Sequence, residues 1–212
     1  MYRPKAFQED RLEVLQGLIR EHPFAIIVTN GPAGLLATHA PMELDADAGP
    51  RGTLVGHLSR ANPQWEEMQT SQETLVVFQG PQAYISPSWY PSKREHGRVV
   101  PTWDYIAVHA WGRAQTFDDA ESLRAVLDSL TDRHEEGRPK PWAVGDAPND
   151  FVDGAMKAIV GFRIEIGRIE GQWKISQNRS SEDQRGVIEG LQSGDEQARA
   201  IAALVPLPEN EG

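Results

Sequence analysis

The stretch "TWDYIAVHAWGRAQTF", Thr102–Phe117, decides the fold class of this chain. Ile106, Val108 and Ala110 fall on one side of an extended backbone, and Tyr105, Ala107, His109 and Trp111 fall on the other. This alternation predicts a long strand with two different faces. Directly after it the period changes. In "DDAESLRAVLDSLTDRHE", Leu123, Val126, Leu127 and Leu130 recur at helical spacing behind Asp118, a capping residue with Glu121 three positions on.

Working outward, "RLEVLQGLIREHP" places Leu12, Leu15, Leu18 and Ile19 on one helical face and stops at Pro23. "FAIIVTN", "GLLATHAPMEL", "TLVGHLS" and "TLVVFQG" read as short strands, broken by "NGPAG", "DADAGPRG" and a helical "NPQWEEMQT". Downstream, "FVDGAMKAIV" reads as a short helix. "GFRIEIGRIEGQWK" alternates Phe162, Ile164 and Ile166 against charged residues, as a strand with one solvated face does. The tail reads as two short helices with Gly194 between them. Regular short strands with Gly and Pro punctuation predict a β-rich α+β fold, a barrel or sandwich.

Composition narrows the function. The 212 residues fit one sizeable domain or a domain with a helical extension. With no cysteine, disulfides, thiolate nucleophiles and thiolate metal ligands are excluded. No run approaches the roughly 18 apolar residues of a membrane span, and the reading is of a cytoplasmic protein. The formal charge of −10 repels polyanions, so DNA binding would need a local basic patch. Lys93, Arg94 and Arg98 with His96 form one, short and interrupted by Glu95 and Gly97. His39, His57 and His109 lack zinc-type spacing, and no metal is expected. No GxSxG elbow, Walker loop or GxGxxG fingerprint occurs.

Four segments carry candidate binding residues. In "VGHLSRANPQW", a strand with His57 and Ser59 runs into Arg60, then Asn62 and Pro63, which suit a helix cap and first turn. Arg60 beside a helix start either meets a phosphate or pairs with a surface carboxylate. In "LLATHAPMEL", Thr38 and His39 bring a hydroxyl and an imidazole to one surface. "YISPSWYPSKREHGRVVPTWDY" gathers Tyr84, Trp89, Tyr90, Trp103 and Tyr105 with Ser86, Ser88, Ser92, Lys93, Pro101 and Thr102. Rings and hydroxyls on a proline-stiffened loop suit a flat heteroaromatic ligand, or they tuck over one end of a barrel. Finally "KISQNRSSEDQRGVIEGL" places Gln177, Arg179 and Asp183 at a strand-to-helix junction capped by Ser180 or Ser181, either an ordinary helix start or a second anion-facing site.

"MYRPKAF", "ATHAPMEL", "GHLSRANPQW", "VVFQGPQAYISPSWYPSK", "VPTWDYIAVHAWG" and "KISQNRSSEDQRGVIEGL" together resemble the PaiB-type family of FMN-binding negative transcriptional regulators. The six blocks span nearly the whole chain in order. The resemblance implies a split β-barrel of the pyridoxamine-phosphate-oxidase-like class with peripheral helices and a helical C-terminal extension. One domain is expected over 1–212, with a barrel core at about 22–117 plus a strand at 159–174, and helical segments at 118–158 and 181–205. It also implies a bacterial homodimer with FMN held non-covalently at the subunit interface, and a repressor role. A flavin-dependent oxidoreductase on the same fold, or a cofactor-free or heme-binding barrel, are the alternatives. Under this resemblance Arg60 and Asn62, with Ser59 and His57, take the flavin phosphate, and Thr38 and His39 lie along the isoalloxazine. The Ser86–Lys93 and Val100–Trp103 segments close over the flavin or the dimer seam, with Gln177 and Arg179 in the cofactor set. Asp104 stands where the resemblance would put asparagine, a near-isosteric change that adds charge.

Overall fold

Extended stretches of β-branched and apolar residues form strands here, and the stretches with helical periodicity form helices. The computed structural model describes residues 1–32 and 34–206. In chain order the elements are β1 (Gln8–Glu9), α1 (Leu12–Glu21), β2 (Phe24–Gly31), β3 (Gly34–Pro41), β4 (Glu43–Asp45), β5 (Thr53–Ser59), α2 (Gln64–Thr70), β6 (Thr74–Ile85) and α3 (Ser92–His96). There follow β7 (Thr102–Gly112), β8 (Ala114–Phe117), α4 (Ala120–Glu135), α5 (Asn149–Met156), β9 (Ile159–Glu165), β10 (Arg168–Lys174), α6 (Ser181–Gln192) and α7 (Glu196–Leu204). Strand pairs such as β2 with β3 and β5 with β9 are antiparallel, and with the helices they make an α+β fold. Among the described residues, no helix is long and apolar enough to cross a membrane.

The chain divides into two compact units. The first holds Met1–Leu15, Gln79–Val108 and the chain from Glu170, and the second holds Gln16–Phe78 and His109–Ile169. β6 and β7 each pass from one unit into the other.

In the second unit β2 pairs with β3 so that Ile27 faces Thr38 across the ladder. A separate sheet runs β4-β5-β9-β8. Alternation does its work in β5 and β9: Leu54 and Leu58 pair with Ile164 and Val160 and are buried, while Val55 and His57 lie on the half-buried face. Phe162 is fully buried, and truncating such a side chain to alanine costs about 3–5 kcal/mol. Leu123 of α4 buries against Val144, Val152 and Met156, so the predicted stripe is a packing face.

In the first unit the strand order is β1-β10-β7-β6. Its core joins Ala83, Ile85 and Tyr90 to Val187 and Leu191 of α6 and Ile201 of α7. Gly190 is required for this packing, because a β-carbon there would stand 2.2 Å from the Trp89 ring.

Four expectations shift. The strand expected at 159–174 is two strands: the chain breaks at Ile166–Gly167, where the Gly167 amide donates to the Trp111 carbonyl at 2.9 Å, and β9 and β10 join different sheets. Likewise Thr102–Phe117 divides at Arg113 into β7 and β8. Asp119, not Asp118, caps α4, its Oδ1 accepting from the Ser122 amide at 2.8 Å. The segment read as a loop around Ser92 contains α3, closed by Gly97 in the left-handed region at φ 65°.

Candidate functional site

The fifteen residues proposed from sequence divide between the two units. In the second unit, β5 ends at Ser59 and the chain turns through Arg60 and Asn62 into α2. Asn62 Oδ1 accepts from the Gln64 amide at 3.0 Å, and its Nδ2 donates to Thr38 Oγ1 at 2.9 Å. Thr38 and Asn62 therefore do meet. Three amides at this helix start are already used: Gln64 N is capped by Asn62, and Glu66 and Glu67 donate to the Pro63 carbonyl. With Glu66 and Glu67 in its first turn, this short helix is a poor anion holder.

Arg60 has its guanidinium directed elsewhere. Nε donates to the Lys157 carbonyl at 3.0 Å, and Nη2 donates to the Ile159 carbonyl at 3.1 Å and reaches Asp118 at 3.4 Å. Nη1 has no hydrogen-bond acceptor among the described residues. Arg60 and Lys157 line one cavity of about 590 Å³, together with Asp118, Asp153, Leu123 and Met156. Lys157 escaped the sequence reading because it sits about a hundred residues from Arg60 in a segment with no motif. Two cations and two carboxylates thus share the lining with an apolar floor.

His57 lies two residues before Ser59 on the same face of β5. Its Nδ1 is buried without a hydrogen-bond partner, and burial pushes the imidazole pKa down, so the ring is neutral near pH 7. An orphaned ring nitrogen of this kind is a fit for a ligand's polar atom. His39 is exposed on β3 and stacks on Phe24, with centroids 6.0 Å apart.

In the first unit the aromatic segment does not act as one cluster. Tyr90 is 2 % exposed and belongs to the core. The Arg179 guanidinium lies over its ring at 4.7 Å, a cation–π contact. The Tyr90 hydroxyl has no hydrogen-bond partner, and burial pushes its pKa up against the opposing pull of Arg179. The Trp89 ring packs on Gly190 of α6. Trp103 is 54 % exposed and meets exposed Tyr84 edge-on at 6.1 Å. Pro101 is exposed and Thr102 half-buried. Ser86 caps the 3-10 turn Pro87–Trp89 by accepting from Ser88 N, and Lys93 Nζ donates to Ser88 Oγ at 3.2 Å. Gln177 folds back on its own turn, Oε1 accepting from the Ile175 amide at 2.8 Å.

Beneath these residues is a buried polar group that sequence reading noted only in part. Asp104 is 1 % exposed, accepts from the Ser176 hydroxyl at 2.5 Å, and has Lys174 Nζ 3.9 Å from Oδ1. Burial pushes its carboxyl pKa up, opposed by the Ser176 hydrogen bond, Lys174 and Arg179. Burial pushes the Lys174 ammonium down, opposed by Asp104. Asp183 accepts from the Ser92 amide at 3.1 Å and its hydroxyl at 2.8 Å, tying α3 to α6.

Known proteins match this chain closely. The family model "Putative FMN-binding domain" matches residues 1–168. "Protease synthase and sporulation protein PAI 2" of Bacillus subtilis is 35% identical over 206 residues, 97% of this chain and 96% of that protein. Among solved structures, flavocytochrome Anf3 of Azotobacter vinelandii superposes with a TM-score of 0.59 at 12% identity, over 82% of this chain and 72% of that one. The FAD and heme binding protein of Mycobacterium smegmatis gives 0.57 at 17% identity, over 79% and 73%. At those identities the two structures speak for the fold alone, that of the flavin-type split barrels. By the match over residues 1–168 and the relationship to the sporulation protein, this chain belongs to the FMN-binding domain family, whose cofactor is FMN.

Proposed function

We propose that the protein binds FMN non-covalently as a homodimer and acts as a flavin-responsive negative regulator of transcription. The observation that carries this reading is the family match over residues 1–168, which spans Thr38, Arg60, Thr102 and Trp103. When bound, FMN supplies reversible electron chemistry, and the protein supplies binding, orientation and electrostatics. Arg60 and Lys157 neutralise the phosphate: Arg60 holds both N–H groups of Nη1 unused, and charge-assisted hydrogen bonds to phosphate are the strong ones. The orphaned His57 nitrogen accepts or donates toward a polar ligand atom. Trp103 and Tyr84 supply aromatic surface, since neither ring is consumed by the core.

The regulatory role follows from the resemblance of the six sequence blocks to the negative transcriptional regulators, and likeness to a sporulation protein of Bacillus subtilis supports it. Flavin occupancy regulates by favouring one of two conformational populations. With a net charge of −10, the chain has little attraction for DNA at long range.

Titration of the purified protein with FMN tests the core of this reading. A shifted flavin absorbance band and quenched fluorescence are expected, and an unchanged spectrum at saturating FMN overturns it. Retention of a promoter fragment that weakens with salt supports direct repression. No retention at low salt moves the function to a flavin oxidoreductase or to regulation through a protein partner.

A further inference from the structure

We propose that Lys174 is a positioning residue that, with Asp104, fixes the Thr102–Trp103 segment and the Arg179 turn for ligand binding. This rests on the reading of Trp103 and Thr102 as flavin-facing residues.

The geometry is a reciprocal stitch between the start of β7 and the end of β10. Lys174 donates from Nζ to the Thr102 hydroxyl and to the Trp103 carbonyl. One residue further along β7, Asp104 accepts from Ser176, two residues beyond Lys174. A single ammonium thus sets a hydroxyl and the peptide that directs the Trp103 indole. Lys174 itself is held because the nearby carboxylate is buried, and a buried carboxylate without a cation is strongly unfavourable.

Ser176 extends the stitch to Arg179. Its φ is 59°, and among the described residues it is the one non-glycine in the left-handed region. A serine persists there when its surroundings over-determine it. Three bonds do so: its hydroxyl donates to Asp104, and its carbonyl accepts from the Arg179 amide at 3.0 Å and from Gln184 Nε2 at 3.2 Å. The chain leaves this corner with Arg179 over Tyr90. Asparagine at 104 would still accept from Ser176 but would not attract Lys174, so the charge serves the lysine in particular.

The test compares wild type, Lys174→Met, Lys174→Arg and Asp104→Asn by hydrogen exchange and by titration with FMN and with riboflavin. In Lys174→Met, exchange at residues 102–105 is expected to rise about tenfold. Affinity should fall about tenfold for FMN and riboflavin alike, because the ring and not the phosphate loses its support. Lys174→Arg keeps the charge and should recover most of both. Faster exchange with unchanged flavin affinity would make Lys174 merely structural and overturn the proposal, as would no change in either. Should Lys174→Met fail to fold, Asp104→Asn decides: a smaller change in the same direction supports the stitch, and wild-type behaviour overturns it. Wild-type protein that takes up no flavin is a different result, because it defeats the FMN reading itself and the positioning role with it.

Discussion

The Arg60 corner and the Asp104 corner are both strand ends carrying charge, and they treat that charge in opposite ways. Arg60 is 40 % exposed at its side chain, rests on backbone carbonyls, and retains the two N–H groups of Nη1. Asp104 is 1 % exposed and survives burial only because Ser176, Lys174 and Arg179 surround it. Exposed charge costs little to keep and stays available to a ligand, whereas buried charge must be matched from within the fold. The first corner is therefore suited to recognition and the second to holding other residues in place.

The largest effect should come from crowding the first unit's core. Gly190→Ala would press a methyl group into the Trp89 ring and destabilise by about 3 kcal/mol, read by chemical denaturation. Next, Lys174→Met should cost about 2 kcal/mol, less than for a fully buried pair because about a fifth of the lysine side chain is exposed. A cost close to zero would erase the contrast between the corners.

Arg60→Ala sharpens the contrast from the other side. FMN affinity should fall by about 1.5–3 kcal/mol, the range for a charged hydrogen bond, while riboflavin binding changes little. Equal losses for both ligands would remove the phosphate role.

The smallest effect is in pH dependence. The His57 pKa is lowered in the folded state, so the unfolded chain binds more protons as pH falls below about 6.5. Stability should then decline with acidification, and His57→Gln should lose that component. Asp104 has the opposite sign. Its raised folded pKa means the stability difference between wild type and Asp104→Asn should shift in favour of wild type as pH falls toward about 4. Denaturation curves at several pH values separate the two.

Much of the fold could be read in advance. Leu15, Leu18 and Ile19 are buried on α1 as their spacing demands, and the tail forms α6 and α7 on either side of Gly194. The break at Ile166–Gly167 has a sequence mark that a count of apolar residues overlooks: the phase of Phe162, Ile164 and Ile166 ends there, Gly167 follows, and Ile169 resumes on the opposite phase. The site was legible by residue type and not by environment. Tyr90 and Trp103 stand in one aromatic segment, yet one is core and the other surface, a distinction made by helices almost a hundred residues away. Lys157, Lys174 and Ser176 carry no motif, and their partners become visible only when distant strands are brought together.

The close packing of Trp89 on Gly190 has a practical consequence for where the chain can be cut and still fold. The family match stops at residue 168, yet α6 and α7 cover Ile85 and Tyr90. A chain cut at that limit would carry the flavin-family signature and still leave an oily wound on its first unit. It should clump on expression, and supplying residues 169–206 as a separate peptide would be the natural attempt at repair.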